Sequence, residues 1–195
     1  MSLIIPTRTA DTTTPILEVL AERWSPRAFD PTLPIDESAL TAALEAARWS
    51  PSAANSQPWR FIVALRGTEE FRRIESTLVG FNSAWAGSAG ALVVAVAEVA
   101  DENGKTRRWA DYDLGQAMAH FSVQAHADGL HVHQMGGFEA DALRSSFGLT
   151  ENLVPVSVSA VGTVGHPDLL PEQTREREVA PRSRKGLDEL LISAS

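Results

Sequence analysis

Apolar residues recur along the chain first at a helical period and then in strand-like runs. In "PIDESALTAALEAARW", residues 34–49, Leu40, Ala43, Leu44 and Ala47 fall a turn apart. They follow an N-cap candidate, Asp36, with acidic Glu37 in the first turn. Pro51 ends that helix, because a proline pushes the residue before it out of the α region. Residues 61–65 are rich in β-formers and stop at Arg66-Gly67, and Thr68 is placed to cap a helix running to about Val79. Residues 91–99 are almost continuously apolar, the pattern of a strand buried on both faces.

The segment "WADYDLGQAMAHFSVQAHAD", residues 109–128, predicts the longest helix. Leu114, Ala117, Met118, Phe121 and Ala125 share one side of it, and Gly129 follows as a C-terminal cap. "HVHQMGGF" reads as a short strand entering a glycine turn, residues 139–147 as a helix closed by Gly148, and residues 154–164 as another strand. Beyond Gly165-His166-Pro167 the chain turns charged and irregular, so it is expected on a surface or against another chain. Residues 1–14, Thr-rich with a proline, read as a loose arm ahead of a single domain over residues 15–195. Strands and helices interleave without a strict βαβ rhythm, and neither GxGxxG nor GxxxxGK[ST] occurs, which disfavours a Rossmann or phosphate-loop nucleotide site.

With 195 residues, 44% of them hydrophobic, the chain has the material for one real core. A net charge of -8 repels a polyanion, so nucleic acid is not an expected partner. The absence of cysteine removes disulfides, thiolate nucleophiles and Cys-ligated metals. No run reaches the roughly 20 apolar residues of a membrane span. The start lacks the long apolar stretch of a secretory signal, so the expected location is the cytoplasm.

Polar clusters supply the candidate chemistry. In "ERWSPRAF", Arg23, Ser25 and Arg27 alternate, so an extended backbone projects them from one side. Two guanidinium forks around a hydroxyl suit a phosphate, although a helix end followed by solvated arginines gives the same letters. In "SPSAANSQPW", Pro51 and Pro58 restrict a stretch that offers Ser52, Asn55 and Gln57, and a plain Asx-type turn also fits. In "QMGGF", Gly136 and Gly137 let backbone N–H groups approach a planar ligand, or simply make a turn before a helix. "APRSRKGLDEL" repeats the Arg/Ser alternation at Arg182, Ser183 and Arg184, where a basic tail is the alternative.

Taken in order, R-x-S-x-R, SPSxxNxQPW, N-x-x-W, a GGF turn and a final R-S-R-K, spanning residues 20–190, resemble the nitroreductase family of FMN-dependent oxidoreductases. The resemblance implies an α+β fold with a mainly antiparallel central sheet flanked by helices, in an intertwined homodimer whose C-terminal tail packs on the partner. It implies FMN at the subunit interface and NADH or NADPH as electron donor. Arg23, Ser25 and Arg27 match the segment that holds the FMN phosphate and the pyrimidine side of the ring, with Trp24 adding a backbone or stacking contact. Pro51, Ser52, Ala53 and Asn55 match the segment reaching the same flavin from the other subunit, with Gln57 propping that loop. Asn82 matches a position at the flavin's polar edge, and Trp85 falls where some members carry a lysine. Gln134, Met135, Gly136 and Gly137 match the turn presenting N–H groups to flavin N5 and the adjacent carbonyl, while Arg182 and Arg184 match a second cationic pair on the phosphate.

The implied activity is NAD(P)H-driven reduction of nitroaromatic, quinone or related small electrophiles by ping-pong hydride transfer, with a non-turnover FMN-binding protein of the same fold as the alternative. The flavin would carry the chemistry, so no side chain is assigned as acid, base or nucleophile. His126, His131 and His133 lack an acidic partner at metal-ligand spacing and read as structural, and no metal is expected. Asp111 and Asp113 diverge on a helix and do not form a pair. Trp109 and Tyr112 fit core or dimer packing better than a substrate pocket.

Overall fold

The apolar run expected to be buried on both faces is the second strand of a four-stranded antiparallel sheet of order β1-β2-β4-β3. The computed structural model describes residues 8–193. In chain order the elements are α1 (Glu18–Glu22), α2 (Glu37–Arg48), β1 (Trp59–Leu65), α3 (Glu69–Glu75), β2 (Ala91–Glu98) and α4 (Ala110–Ala127). They continue as β3 (His131–Met135), α5 (Ala140–Phe147), β4 (Leu153–Gly162), α6 (Glu172–Val179) and α7 (Leu187–Leu190).

The alternation of β2 sorts the molecule into layers. Ala91, Val93, Ala95 and Ala97 face α2 and α4, packing with Leu40, Leu114, Met118 and Phe121. Leu92, Val94 and Val96 face the opposite way, into a second core with Phe71, Ile74, Leu143 and Val158. Alanines at 39, 43 and 47 of α2 and at 110, 117 and 125 of α4 let these helices lie close to the sheet and to each other. Full burial of a side chain such as Phe121 contributes about 1.5–3 kcal/mol. The β2–β4 register shifts between Ala95 and Val96.

Asp36 caps α2 as its position predicted, with Oδ1 accepting from the N–H groups of Ser38 (2.9 Å) and Ala39 (3.1 Å). Helix α3 stops at Glu75, short of the expected Val79, because the following residues pair elsewhere. The Glu139 N–H donates to Thr77 O (2.8 Å), and the Val79 N–H to Gly137 O (3.2 Å). These bonds tie the end of α3 to the glycine turn. Strand β1 begins at Trp59, two residues before the expected start, because Trp59 and Arg60 pair with Ala97 and Val96.

The tail expected to be irregular contains α6, which has no apolar stripe to announce it. Only Thr174 and Glu178 of α6 are buried. Of the expected arm, residues 1–7 lie outside the described residues; after them, the Ala10 N–H donates to Ala21 O (2.8 Å). At the far end, Leu187, Leu190, Leu191 and Ile192 expose more than half of their surface. Among the described residues, no helix is long and apolar enough to cross a membrane.

Candidate functional site

Arg23 follows directly on α1, and Arg182 and Arg184 lie between α6 and α7, yet they meet in space. Burial first, and then the Arg184 guanidinium, hold the Arg23 pKa below its ordinary value. Burial, then Arg23, Arg184 and Arg8, do the same to Arg182. Among the described residues, none of these arginines forms an ion pair. Arg182 Nη1 donates to the carbonyls of Ala21 (2.7 Å) and Arg8, which fixes the N-terminal segment, α1 and the tail together. Four guanidinium groups that converge without an ion pair among the described residues form a site that favours an anion.

Aromatic groups floor this cluster. The Arg8 guanidinium lies 4.3 Å from the Trp24 ring centroid, Trp24 meets His131 edge-on at 6.3 Å, and His131 meets His126 at 4.9 Å. The Nδ1 atoms of both histidines are buried without a hydrogen-bond partner. Burial first, then the charges of His126 and Arg23, push His131 down to about 4. His126 is lowered by burial, an effect Glu22 opposes and Arg23 and Arg182 reinforce.

Arg23, Ser25 and Gln134 open on one cleft of about 350 Å³, shared with Ala119, Ser122 and Val123 of α4. Gln134 Nε2 donates to Ser122 Oγ (3.1 Å) and Met118 O (3.3 Å), which fixes the side chain. Met135 is buried in the second core, so only its backbone is available to a ligand. At Gly136 an added Cβ would meet nothing within 4 Å, whereas at Gly137 it would lie 2.8 Å from Asn82 Nδ2. Asn82 Nδ2 donates to Gly137 O (3.1 Å), so this amide nitrogen braces the glycine turn. Trp85 is a core residue, stacked 6.3 Å from Phe29 and tilted 4.7 Å from His133.

Arg27 stands apart from the other arginines. Its Nη1 lies 3.7 Å from Glu178 Oε2, and the carboxylate of Glu178, 2% exposed, accepts the N–H groups of Arg27 (2.9 and 3.0 Å) and Ala28 (3.1 Å). Glu178 thereby fixes the backbone that carries Arg23 to Arg27. Nothing in the sequence marked it, since α6 has a single apolar residue, Val179, and no apolar stripe.

Residues 50–57 build a different kind of site. Among the described residues, the non-glycine residues with positive φ are Ala54 (53°), Asn55 (55°) and Gln57 (46°), all in this loop. For alanine and glutamine such a backbone costs about 1–3 kcal/mol each, so the surroundings must impose it. Ser52 Oγ accepts the Gln57 N–H (3.0 Å), and Gln57 Nε2 donates to Asn55 O (3.2 Å). Ser50 Oγ lies 2.7 Å from His120 Nδ1, and Asp113, 2% exposed, accepts the Ala53 N–H at 3.0 Å through Oδ2. Asp113 was legible in one respect, being an acid on the apolar stripe of the predicted helix.

Pro51, Ser52 and Ala53 line a second cleft of about 330 Å³ with Tyr112 and Gln116. Both clefts open along the exposed side of α4, one near its start and the other near its end. The two linings share no residue and together span Tyr112 to Val123, about 16 Å of helix at 1.5 Å per residue. Within one chain the two sets of candidate residues thus line separate clefts. Among the described residues, no three His, Asp or Glu side chains are grouped to hold a metal.

The profile of the nitroreductase family matches residues 20–83 and 71–163. A solved oxidoreductase containing FMN superposes with a TM-score of 0.90 at 30% identity, covering 97% of each chain. An uncharacterised 15.4 kDa protein of Mycolicibacterium smegmatis, from the ask 5′ region, is 32% identical over 142 residues, covering 69% of this chain and 95% of its own. The oxygen-insensitive NAD(P)H nitroreductase of Salmonella typhimurium is 33% identical over 102 residues, covering 50% of this chain and 46% of its own. The motifs, the antiparallel α+β architecture and these matches agree: the chain belongs to the nitroreductase family.

Proposed function

We propose that this protein is an FMN-dependent oxidoreductase that uses NADH or NADPH to reduce nitroaromatic, quinone or related small electrophilic compounds. The observation that carries this reading is the cluster of Arg23, Arg182 and Arg184, from opposite ends of the chain, which among the described residues makes no ion pair in an otherwise acidic protein. A phosphate dianion satisfies that cluster, each charge-assisted hydrogen bond contributing roughly 1.5–3 kcal/mol. Ser25 and Gln134 border the adjoining cleft, and the open backbone at Gly136 suits a flat ring. Arg27, neutralised by Glu178, sets the course of this segment more than it binds the phosphate.

The site is completed by a second copy of the chain. If two α4 helices pack antiparallel about a two-fold axis, the start of one lies over the end of the other. Tyr112, Gly115 and Ala119 are exposed on that side of α4, and the small residues permit close approach. The partner subunit's 50–57 loop then reaches the cleft lined by Arg23 and Gln134. The exposed Leu187 and Leu190 of α7, and Leu191 just after it, are suited to pack on the partner as well.

FMN held by Arg23, Arg182 and Arg184 would supply the redox chemistry, hydride transfer from the nicotinamide to the acceptor by a ping-pong sequence. The chain binds the phosphate, presents backbone N–H groups from the 134–137 turn to the polar edge of the ring, and holds the rest of the ring between subunits. The purified protein should take up FMN as a dimer by light scattering. Without air, NADH or NADPH should bleach the flavin absorbance, and nitrofurazone or a quinone should restore it. A flavin that neither nicotinamide reduces points to the non-turnover alternative, and a monomer retaining FMN overturns the shared site.

A further inference from the structure

The chain carries -8 overall, yet one cleft on it reverses that sign. It encloses about 370 Å³ between the 53–56 turn and the segment leading into α4, and its lining includes Lys105, Arg107, Arg108 and Trp109. The cations do not play equal parts. Arg107 is committed to structure, with Nη1 donating to Ser56 O (2.7 Å) and Nη2 3.5 Å from Glu98. Lys105 and Arg108 are exposed and, among the described residues, make no ion pair or side-chain hydrogen bond. The Arg108 guanidinium lies 5.0 Å from the Trp109 ring centroid, and Trp109 meets Tyr112 edge-on at 6.4 Å, so the charge rests on an aromatic wall.

The acids of the cleft are already engaged. Asp101 Oδ1 accepts the N–H groups of Asn103 and Lys105 (both 2.9 Å), and buried Asp113 accepts the Ala53 N–H. Ala53 lines both this cleft and the one at the start of α4, so the cations stand beside the loop assigned to the flavin. We infer that this cleft is an anion subsite in which Lys105 and Arg108 hold a phosphate or carboxylate on the molecule docking against the flavin; this rests on the flavin reading above. Two sources supply that anion, the 2′-phosphate of NADPH or an acidic group on the acceptor.

The test compares wild type with the Lys105→Ala/Arg108→Ala variant, whose altered side chains are exposed and leave the fold unchanged by circular dichroism. Calorimetry measures binding of 2′,5′-ADP against 5′-AMP and of 4-nitrobenzoate against nitrobenzene, with and without FMN. Wild type should prefer the more anionic member of at least one pair, and the variant should lose about tenfold of that preference, as expected for one or two charge-assisted contacts. The loss should shrink as salt is raised. Preference ratios that are equal in the two proteins for both pairs overturn the subsite. In the FMN-loaded enzyme, a fall in the NADPH/NADH ratio of kcat/KM assigns the anion to the donor, and a fall in the nitrobenzoate/nitrobenzene ratio assigns it to the acceptor. A flavin that no nicotinamide reduces sinks the oxidoreductase reading, while the binding measurements still decide the subsite.

Discussion

The arginine cluster and the 50–57 loop are both candidate parts of one site, and they hold their shapes by opposite means. The loop is closed by its own bonds, Ser52 to Gln57 and Gln57 to Asn55, with Asp113 and His120 clamping it to α4. Its strain is offset locally. The cluster is assembled from residues more than 150 positions apart and leaves like charges unmet among the described residues. A region that is complete in itself presents a ligand with a fixed surface, whereas a region left electrostatically unmet gains stability from the ligand.

That contrast breaks most readily at the arginines. Arg23→Ala and Arg184→Ala should each weaken FMN binding about tenfold to a hundredfold, measured by fluorescence titration, since each removes charge-assisted bonds of roughly 1.5–3 kcal/mol. Without FMN the same variants should melt no lower than wild type, because removing one of several clustered cations relieves repulsion. A full flavin complement in both variants would end the phosphate assignment.

Acid separates the two regions next. Burial, the first cause in each case, pushes His131 and His133 from 6.5 down to about 4. Between those values the unfolded chain binds protons that the folded chain refuses. The stability these neutral imidazoles contribute is therefore complete above pH 6.5 and is lost as pH falls toward about 4. The slope should reach about 1.4 kcal/mol per pH unit for each histidine. Urea midpoints at successive pH values check this, and His131→Asn should flatten the curve; an unchanged slope in that variant refutes the assignment.

Asp113→Ala tests the self-contained region. It leaves the Ala53 N–H unpaired beside a buried gap and should cost about 1–3 kcal/mol in urea unfolding, with Asp113→Asn costing less because an acceptor remains. A variant as stable as wild type would mean the strained loop does not depend on this clamp. The smallest structural effect is expected at Gly136→Ala, where no atom lies within 4 Å of the new Cβ. Its melting temperature should be unchanged while FMN affinity falls. Gly137→Ala, which would press on Asn82, should instead lower stability as well.

The extent to which the chain was legible follows the range of the forces involved. Asp36 capping α2, the doubly buried β2 and Gly148 closing α5 at φ 62° follow from neighbours within a few residues, and period and cap chemistry record such preferences. Helix α6 left no such record, because its burial depends on Glu178 meeting the N–H groups of Arg27 and Ala28 some 150 residues away. The end of α3 was misplaced for a related reason, since the glycine turn draws Thr77 and Val79 out of the helix.

By itself the sequence determined the sites of α2, β2, α4 and α5, the two Arg/Ser alternations and the constrained loop, all of them local or motif-level properties. Only the tertiary structure decided that Arg23, Arg182 and Arg184 gather while Arg27 pairs with Glu178, and that Asn82 braces a turn. It also decided that the loop and the arginines line separate clefts along α4, with no lining residue in common. Those outcomes depend on which distant charges and hydrogen-bonding groups the packed layers bring within reach, and a one-dimensional pattern does not encode distance.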